Sequence, residues 1–241
     1  MKPIRIITPV KDALDLSLRA IEAVCASQLD IPFTYTVYDD FSRPENAARL
    51  DEEARRQGFS LVHLADLTTH PSPNYLLVLQ REQALALAEG AALCIVESDV
   101  VVRPDTLRRI CDVAASQPDV GLAGAVTTDP AGIINYPYVY AQGREGEVFA
   151  TEEYISFCCT LLSYELLQRF DFGLLNPARQ WHDAVISRRS LQLGLRNFLL
   201  ADTPVIHFPH GSRPWRRLKE TNRWRYYLLK FSGQLRKENI R

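Results

Sequence analysis

Long hydrophobic runs are absent from this chain of 241 residues. No stretch approaches the roughly 18 uncharged apolar residues that indicate a membrane-spanning helix. The opening segment, MKPIRIITPV, has neither an extended apolar region nor the small-residue cleavage site of a secretory signal peptide. We therefore expect neither a spanning helix nor a cleaved leader.

Cysteine motifs are absent as well. The five cysteines form no CxxC pair and no Cys/His pair at zinc-ligand spacing, and their number is odd. Cys25, Cys94 and Cys111 lie in apolar segments, and Cys158 and Cys159 are adjacent. The simplest interpretation is a set of buried free thiols in a reducing cytoplasm.

Internal repeats and low-complexity segments are also missing. The first apolar run continues into TPVKDALD, which contains no glycine, so a glycine-rich phosphate-binding loop does not follow it. What the chain does have is an ordinary globular composition, with 46% hydrophobic and 24% charged residues. Its length suits one large domain.

Apolar runs that favour strands alternate with helical patterns along the first half of the chain. Most runs are continuous, as in the buried strands of a parallel sheet covered by helices on both faces. The second half is less regular, and 127–148 is rich in turns and aromatics. Expected strands cover 4–10, 33–40, 60–65, 92–99 and 120–128, with a strand running into a helix over 156–170 and a last strand within 197–212; expected helices cover 15–27, 46–57, 75–90, 103–116 and 183–194.

Polar or acidic residues end three of the expected strands: Thr8-Pro9, Asp39-Asp40 and Glu97-Ser98-Asp99. The carboxyl ends of parallel strands meet at one edge of a sheet, where ligands bind. Carboxylates gathered there repel one another unless a cation lies among them. Oxygen ligands suit Mg²⁺ or Mn²⁺, ions that usually bridge to phosphate. The sequence therefore predicts a divalent metal and a phosphorylated substrate.

Four segments resemble, in order, the motifs of family-2 glycosyltransferases. IRIITPVKDALDLSLRAI is similar to that family's opening strand and helix, and TVYDDFSRPEN is similar to its Asp-Asp segment. REQALALAEGAALCIVESDVVVRPDTLRRI resembles the stretch that carries the Asp-x-Asp motif. CTLLSYELLQRFDFGLLNPARQWHDAVISRRSLQLG resembles the downstream segment with Phe-Asp and then a lone Asp before a helix.

The resemblance implies an α/β fold of the GT-A type, with a Rossmann-like, mostly parallel sheet flanked by helices. It implies transfer of a sugar from a nucleotide-sugar donor to a glycan or lipid-linked saccharide acceptor. The donor-binding half would be 1–126 and the acceptor-binding half of the same domain 127–212, followed by a basic helical tail over 213–241.

Roles for single residues are carried over from the matching positions. Pro9 and Val10 match residues that line the nucleoside. Asp39 and Asp40 match the pair that holds base and ribose, and Arg81 matches an arginine near the diphosphate.

The remaining matches concern the metal and the chemistry. Glu97 and Asp99 fill the acidic places of the Asp-x-Asp motif, with Glu97 on the donor and Asp99 on a Mn²⁺ or Mg²⁺ ion. His207 matches a position that adds a metal ligand in some members. Asp183 matches the general base of an inverting, single displacement, which takes the proton of the acceptor hydroxyl.

Three positions depart from the family pattern. Glu97 replaces an aspartate and is one methylene longer, Phe41 stands where glycine is usual, and Glu82 stands where asparagine is usual. These departures leave the identity of the donor open.

Structural alternatives exist for each group. Asp39-Asp40 could form an ordinary turn, and Glu97 with Asp99 a solvated loop. His207 could be a buried structural histidine, and Asp183 an N-cap. Trp181 and His182 could face the acceptor or fill the underside of their loop.

The tail carries ten Lys/Arg and two Glu between 213 and 241, a net charge of +8, so the preceding 212 residues carry −9 in a chain of net charge −1. Basic residues interleaved with Trp215, Trp224 and Phe231 are compatible with an interfacial amphipathic helix. A helix packed on the domain and a flap over the diphosphate are the alternatives. No nucleic-acid motif is present, so we expect no nucleic-acid partner.

Two functions therefore compete. The first is a metal-dependent, inverting glycosyltransferase in the cytoplasm, peripheral on the inner face of the membrane if the tail docks there. The second is a nucleotide-sugar-binding or scaffold protein that has the fold without turnover. A metal-dependent nucleotidyltransferase is weaker, because it would need the glycine-rich loop that the chain lacks.

Overall fold

Strands and helices alternate along the first half much as the apolar runs predict. The computed structural model describes residues 2–178 and 181–208, together with Trp224 and Tyr227. The strands are Ile4–Val10 (β1), Phe33–Asp39 (β2), Ser60–His63 (β3), Ala92–Val96 (β4), Val100–Val101 (β5), Val120–Thr128 (β6), Val148–Thr151 (β7), Cys159–Leu162 (β8) and Arg196–His207 (β9). The helices are Leu14–Cys25 (α1), Pro44–Gln57 (α2), Tyr75–Glu89 (α3), Thr106–Ser116 (α4), Tyr164–Arg169 (α5) and His182–Gln192 (α6).

Several element ends follow from local chemistry. Gly58 and Gly90 stop α2 and α3 as predicted, with φ of +80° and +65° in the left-handed region that glycine adopts readily. The expected strand 92–99 is shorter than predicted, because it ends at Val96 and its acidic residues form the turn that leads into β5. Helix α4 begins at Thr106, three residues later than expected.

The nine strands of the described part form one sheet in the order β3-β2-β1-β4-β8-β6-β9-β5, with β7 also paired to β9. Six strands point the same way, whereas β5, β7 and β8 run antiparallel to their neighbours. The predicted α/β architecture, a mostly parallel sheet flanked by helices, is confirmed. The chain order reverses between β1 and β4, and such a reversal opens a ligand crevice at the carboxyl ends of the strands.

Both faces of the sheet are buried, as the continuous apolar runs require. Ile6 and Cys94 pack on one face with α1, α2 and α4, whereas Ile7 and Ile95 pack on the other with α3, α5 and α6. Successive residues of one strand thus serve opposite cores, which explains why these strands show no polar alternation.

Helix α6 packs unusually close to β6. A Cβ atom added at Gly121 would lie 1.8 Å from the Oγ atom of Ser190, so only glycine fits there without moving the helix. This contact fixes the helix whose first turn contains Asp183.

All five cysteines are free thiols. Cys94, Cys111, Cys158 and Cys159 are buried as predicted, but the prediction is wrong for Cys25, which is exposed. Helix α1 turns Ile21 and Val24 towards the core, and Cys25, its last residue, follows them outside the buried stripe.

The predicted basic tail over 213–241 lies outside the described residues, apart from Trp224 and Tyr227. Among the helices that are described, none has the length and apolar character needed to cross a bilayer.

Candidate active site

The strand ends bring the predicted residues to one edge of the sheet. Val10 pairs with Asp39 in the β1–β2 register, and Ile7 pairs with Ile95 in the β1–β4 register. The turn at 97–99 is therefore level with the end of β1. Since β2 and β4 flank β1, the Asp39-Asp40 pair and this turn are roughly 10 Å apart, two strand spacings.

Asp39 is buried and held by the protein itself. Its Oδ1 accepts a hydrogen bond from the Ser42 backbone at 3.1 Å, and its Oδ2 lies 2.9 Å from His63 Nδ1. His63 Nε2 in turn lies 3.2 Å from Asp51 Oδ1, so the imidazole joins β2, β3 and α2. Asp39 is therefore more than a turn residue, because it anchors a network.

Asp40 organises the segment before α3. Its Oδ2 accepts hydrogen bonds from Ser72 Oγ at 2.7 Å and the Asn74 backbone at 2.9 Å, and its Oδ1 accepts one from Asn74 Nδ2 at 2.8 Å. The Asp40 backbone N–H donates to the Val10 carbonyl at 2.8 Å. These bonds tie the ends of β1 and β2 to the loop that leads into α3.

Asp12 belongs to the same rim and was not predicted. Its Oδ1 accepts hydrogen bonds from the Arg43 backbone at 3.0 Å and from Asn46 Nδ2 at 2.9 Å. These bonds, the Arg43 bond foremost, lower the pKa of Asp12. The carboxylate thereby joins the loop after β1 to the start of α2, a long-range contact that has no sequence signature.

Phe41 occupies a position that glycine would fit. Its φ is +60°, in the left-handed region that costs a residue with a Cβ roughly 1–2 kcal/mol. A glycine would adopt this conformation without that cost, and this chain adopts it with a phenylalanine. Phe41 packs against the core cluster of Ile7 and Tyr38, which offsets part of the strain.

Glu82, the other departure, is a core ion pair. It is fully buried, and its Oε2 accepts from Arg5 Nε at 2.6 Å. The Tyr38 hydroxyl also donates to Glu82, and Arg5 makes a second bond to Glu89 at 2.6 Å. Arg81, the predicted diphosphate residue, is exposed and lies close enough to Tyr38 for its charge to oppose the raised pKa of that hydroxyl, for which burial is the main cause.

The second acidic group is built by four strands, β4, β5, β8 and β9. The Glu97 backbone N–H donates to the Cys158 carbonyl at 2.9 Å, just before β8. The Phe208 backbone N–H donates to the Asp99 carbonyl at 2.8 Å, just after β9. Antiparallel pairing of β8 and β9 with the flanks of the turn thus gathers Cys158 and His207 around Glu97 and Asp99.

Side-chain atoms in this group approach metal-ligand spacing. Ligand atoms of Glu97, Cys158 and His207 all lie within 4.8 Å of one another. Asp99 Oδ2 lies 3.3 Å from His207 Nε2, and Cys158 Sγ lies 3.5 Å from Glu97 Oε2. We define these four residues as the 97/207 cluster. Its donors fit a divalent cation. The sequence predicted Asp99 and His207 as metal ligands and Glu97 as a contact to the donor, and it gave no site role to the thiol.

Electrostatics in the 97/207 cluster disfavour negative charge. Burial, and then the charge of Asp99, raise the pKa of Glu97 to about 7, although His207 and the Cys158 hydrogen bond oppose this. His207 is only 7% exposed, and its Nδ1 has no hydrogen-bond partner among the described residues. A buried polar atom without a partner is costly, and a cation among these ligands would offset the crowding of Glu97 and Asp99.

Asp183 lies in electrostatic range of this cluster. Its charge contributes to the raised pKa values of Glu97 and Tyr75, for which burial is the main cause. The N-cap alternative is wrong, because Trp181 occupies that position and Asp183 sits in the first turn of α6. Its Oδ1 accepts from the Ala184 backbone at 2.8 Å.

Aromatic side chains surround this end of α6, and pattern reading did not identify most of them. His182 is buried and stacks on Tyr75, with ring centroids 6.4 Å apart, so it fills the underside of the loop. Trp181 is 65% exposed. The hydroxyls of Tyr154 and Tyr136 lie 3.2 Å apart, and Asp183 contributes to the raised pKa of Tyr154, after burial and Tyr136.

Comparison with known proteins finds likeness in fold. No protein-family model and no curated protein sequence matches the chain. In fold, the chain is similar to the mannosyltransferase PcManGT from Pyrobaculum calidifontis in complex with GDP-Man and Mn²⁺, with a TM-score of 0.63 and 18% identity over 97% of this chain and 64% of that one.

A second solved protein has a similar fold. TarS 1–349 from S. aureus aligns with a TM-score of 0.59 and 15% identity, over 86% of this chain and 60% of that one. The same TarS segment in complex with UDP-GlcNAc gives 0.60 and 17%, over 88% and 60%. The chain spans less than two thirds of the length of these neighbours, and at such identities the likeness establishes the fold.

Proposed function

We propose that this protein is a metal-dependent glycosyltransferase that moves a sugar from a nucleotide-sugar to an acceptor hydroxyl, with inversion at the anomeric carbon. The observation that carries the proposal is the 97/207 cluster, which lies at the ligand-binding edge of a fold similar to that of a mannosyltransferase solved with GDP-Man and Mn²⁺. The complex of TarS with UDP-GlcNAc adds a second nucleotide-sugar to this fold.

On the donor side, we assign the nucleoside to Pro9, Val10, Asp39 and Asp40. Both carboxylates already accept bonds from the protein, which fixes their orientation before any ligand arrives. A carboxylate offers about four lone-pair sites, so acceptor capacity for base and ribose remains. Arg81 is exposed and cationic next to Tyr38, as a diphosphate contact requires.

At the metal, Asp99 and His207 would hold Mn²⁺ or Mg²⁺, with Glu97 towards the donor. When bound, such an ion supplies Lewis-acid neutralisation of the departing diphosphate. The protein groups contribute a water-poor pocket, because Asp99 and His207 are both less than a tenth exposed. Charge interactions are stronger there than in water.

Asp183 is assigned as the general base. It would orient the acceptor hydroxyl and take its proton as the new glycosidic bond forms, an effect of roughly 10²–10⁴-fold on rate. Its place beside Tyr154 supports this role. Tyr136, Tyr154 and Trp181 offer flat apolar faces with polar tips, the kind of surface that suits a sugar ring.

We assign the acceptor to the class of glycans or lipid-linked saccharides and the site of action to the cytoplasm, on the inner face of the membrane. The support is the net charge of +8 over 213–241, which would be attracted to an anionic leaflet. Vesicle co-sedimentation of the whole chain, with and without anionic lipid, tests this assignment independently of catalysis.

The central test is release of nucleoside diphosphate from a panel of UDP-, GDP- and dTDP-sugars, with Mn²⁺, with Mg²⁺ and with chelator. We expect one base to be preferred, turnover only with metal, and loss of turnover in Asp99→Asn. Asp112→Asn, an exposed change on α4, is the matched control. Donor binding without any turnover across acceptors would instead support a non-catalytic nucleotide-sugar-binding protein.

A further inference from the structure

Two adjacent cysteines lie in different surroundings. Cys159 begins β8, pairs with Val96 and is fully buried in the core. Cys158, one residue earlier, contacts Glu97 Oε2 at 3.5 Å and Ser156 Oγ at 3.3 Å through its thiol. Both side chains are buried in the same core cluster, but the thiol of Cys158 also contacts Glu97 in the 97/207 cluster.

The cluster offers a mixed set of donors. A thiol sulfur, an imidazole nitrogen and a carboxylate oxygen lie within 4.8 Å of one another, and Asp99 Oδ2 approaches His207 Nε2 at 3.3 Å. His207 is also 7% exposed, and its Nδ1 atom has no hydrogen bond among the described residues. This cluster is thus more than an acidic patch beside a cysteine.

Such a donor set has a clear chemical preference. Mg²⁺ favours octahedral oxygen ligands and retains its waters. Thiolate and imidazole favour softer ions, and affinity rises from Mn²⁺ towards the end of the first-row series. Zn²⁺ in particular binds tetrahedrally to Cys, His and carboxylate ligands.

We propose that Cys158 is a metal ligand and that the 97/207 cluster binds Zn²⁺ in preference to Mn²⁺, with Mg²⁺ weakest. On binding, the Cys158 thiol loses its proton to solvent as the sulfur–metal bond forms, and no electrons are transferred. Because the proposed function assigns its catalytic ion to the same residues, Zn²⁺ and Mn²⁺ compete, and Zn²⁺ would regulate transfer by displacing Mn²⁺. This regulatory consequence rests on the proposed function, but the binding preference does not.

Metal binding by the purified chain without donor provides the test. Co²⁺ serves as the spectroscopic probe, because a thiolate ligand gives a charge-transfer band in the near ultraviolet. We expect the band in the wild type and in Cys159→Ala, and its loss in Cys158→Ala. Both variants remove one buried thiol, so the pair separates ligation from packing.

Zn²⁺ affinity, measured by competition with a chromophoric chelator, should fall more than about 100-fold in Cys158→Ala, because even changes behind the ligands cost roughly 10–100-fold. If Cys158→Ala fails to fold, Cys158→Ser replaces it, because serine keeps a hydrogen-bonding group of similar size. An unchanged Co²⁺ spectrum in Cys158→Ala or in Cys158→Ser, or equal Zn²⁺ and Mg²⁺ affinities in the wild type, overturns the proposal.

The outcomes of the metal-binding and sugar-transfer experiments distinguish the metal-site proposal from the proposed function. Zn²⁺ binding with the thiolate band but no sugar transfer from any donor would leave the metal site standing and remove the proposed function. Mn²⁺-dependent transfer with no thiolate band would do the opposite, and would assign the ion to the oxygen and imidazole ligands alone.

Discussion

Asp40 and Glu97 each follow a buried strand at the same edge of the sheet, and the protein surrounds them in opposite ways. Asp40 accepts three hydrogen bonds from Ser72 and Asn74. Glu97 faces the thiol of Cys158 and the like charge of Asp99, and burial together with that charge raises its pKa to about 7.

The contrast separates two uses of an acidic residue. The three hydrogen bonds that Asp40 accepts tie the loop before α3 to the end of β2. Crowding of Glu97 and Asp99 is unfavourable, and a bound cation would recover that free energy. An acidic strand end is therefore a better candidate for a ligand site when its carboxylates have few hydrogen-bond partners within the protein.

The largest expected effect is on turnover and concerns Asp183, which lies near the 97/207 cluster. Asp183→Asn keeps the shape of the side chain but removes its basicity, so kcat for sugar transfer should fall by roughly 10²–10⁴-fold. Steady-state kinetics with the preferred donor measure this, and Mn²⁺ affinity should not fall. A variant with wild-type kcat would assign the base elsewhere.

Glu82 is another carboxylate whose partners are supplied by the protein, in this case within the core. Glu82→Ala leaves Arg5 buried with only Glu89, which is half exposed, so the free energy of unfolding should fall by about 3 kcal/mol. Urea denaturation measures the change. Glu52→Ala, which breaks a surface pair with Arg49, should cost less than about 1 kcal/mol. Equal losses in the two variants would contradict a structural role for Glu82.

Asp40→Ala tests directly whether the hydrogen bonds of Asp40 stabilise the fold. Loss of the bonds to Ser72 and Asn74 should lower the free energy of unfolding by about 2 kcal/mol, the range for hydrogen bonds to a charged group. Mn²⁺ affinity, measured by calorimetry without donor, should stay within about twofold. Asp66→Ala, an exposed change nearby in sequence, is the control. A stable variant with weakened metal binding would mean that Asp40 and the 97/207 cluster form a single metal site.

Glu97→Gln should move stability the other way. Removing one of the crowded charges should raise the free energy of unfolding by roughly 0.5–2 kcal/mol in chelator, as substitutions at strained functional sites often do. The same change should weaken Mn²⁺ binding. Thermal denaturation with and without Mn²⁺ measures both effects, and destabilisation in chelator would mean that Glu97 is satisfied after all.

The smallest expected effect is a pH dependence at His63. Burial lowers its pKa, but the bonds to Asp39 and Asp51 outweigh burial and the net pKa is raised. A raised folded-state pKa contributes stability that is complete below the unfolded value, about 6.5, and is lost as pH rises through the folded value. The stability difference between wild type and His63→Gln should therefore shrink from pH 5.5 to pH 8.5, by less than about 1 kcal/mol. A difference that grows with pH would reverse the assigned sign.

Patterns within one segment predicted most of the first half. The strands at 4–10 and 120–128 match the observed bounds, since each is a buried apolar run that ends where polar residues begin. Glycine stops at Gly58 and Gly90 were likewise local. Antiparallel insertion of β8 between β4 and β6 was not predicted, because pairing between distant segments leaves no periodic signal.

The same limit applies to the site. The family resemblance assigned Asp99 and His207 to one metal, and the structure brings their side chains within 3.3 Å of each other. Cys158, in contrast, was grouped with the buried free thiols. Only the β4–β8 pairing decides that this thiol faces Glu97. The partners of Asp39 and Asp40 come from loops, whose hydrogen bonds a linear pattern does not specify.

The interleaved sheet order has a practical consequence. In the described sheet, β6 lies in the first 128 residues but pairs only with β8 and β9, both from later in the chain. Fragments divided near residue 130 would each expose unpaired strands and should recover a native sheet only when mixed. Such a pair of fragments could report, by complementation, on whether two fused partner proteins meet inside a cell.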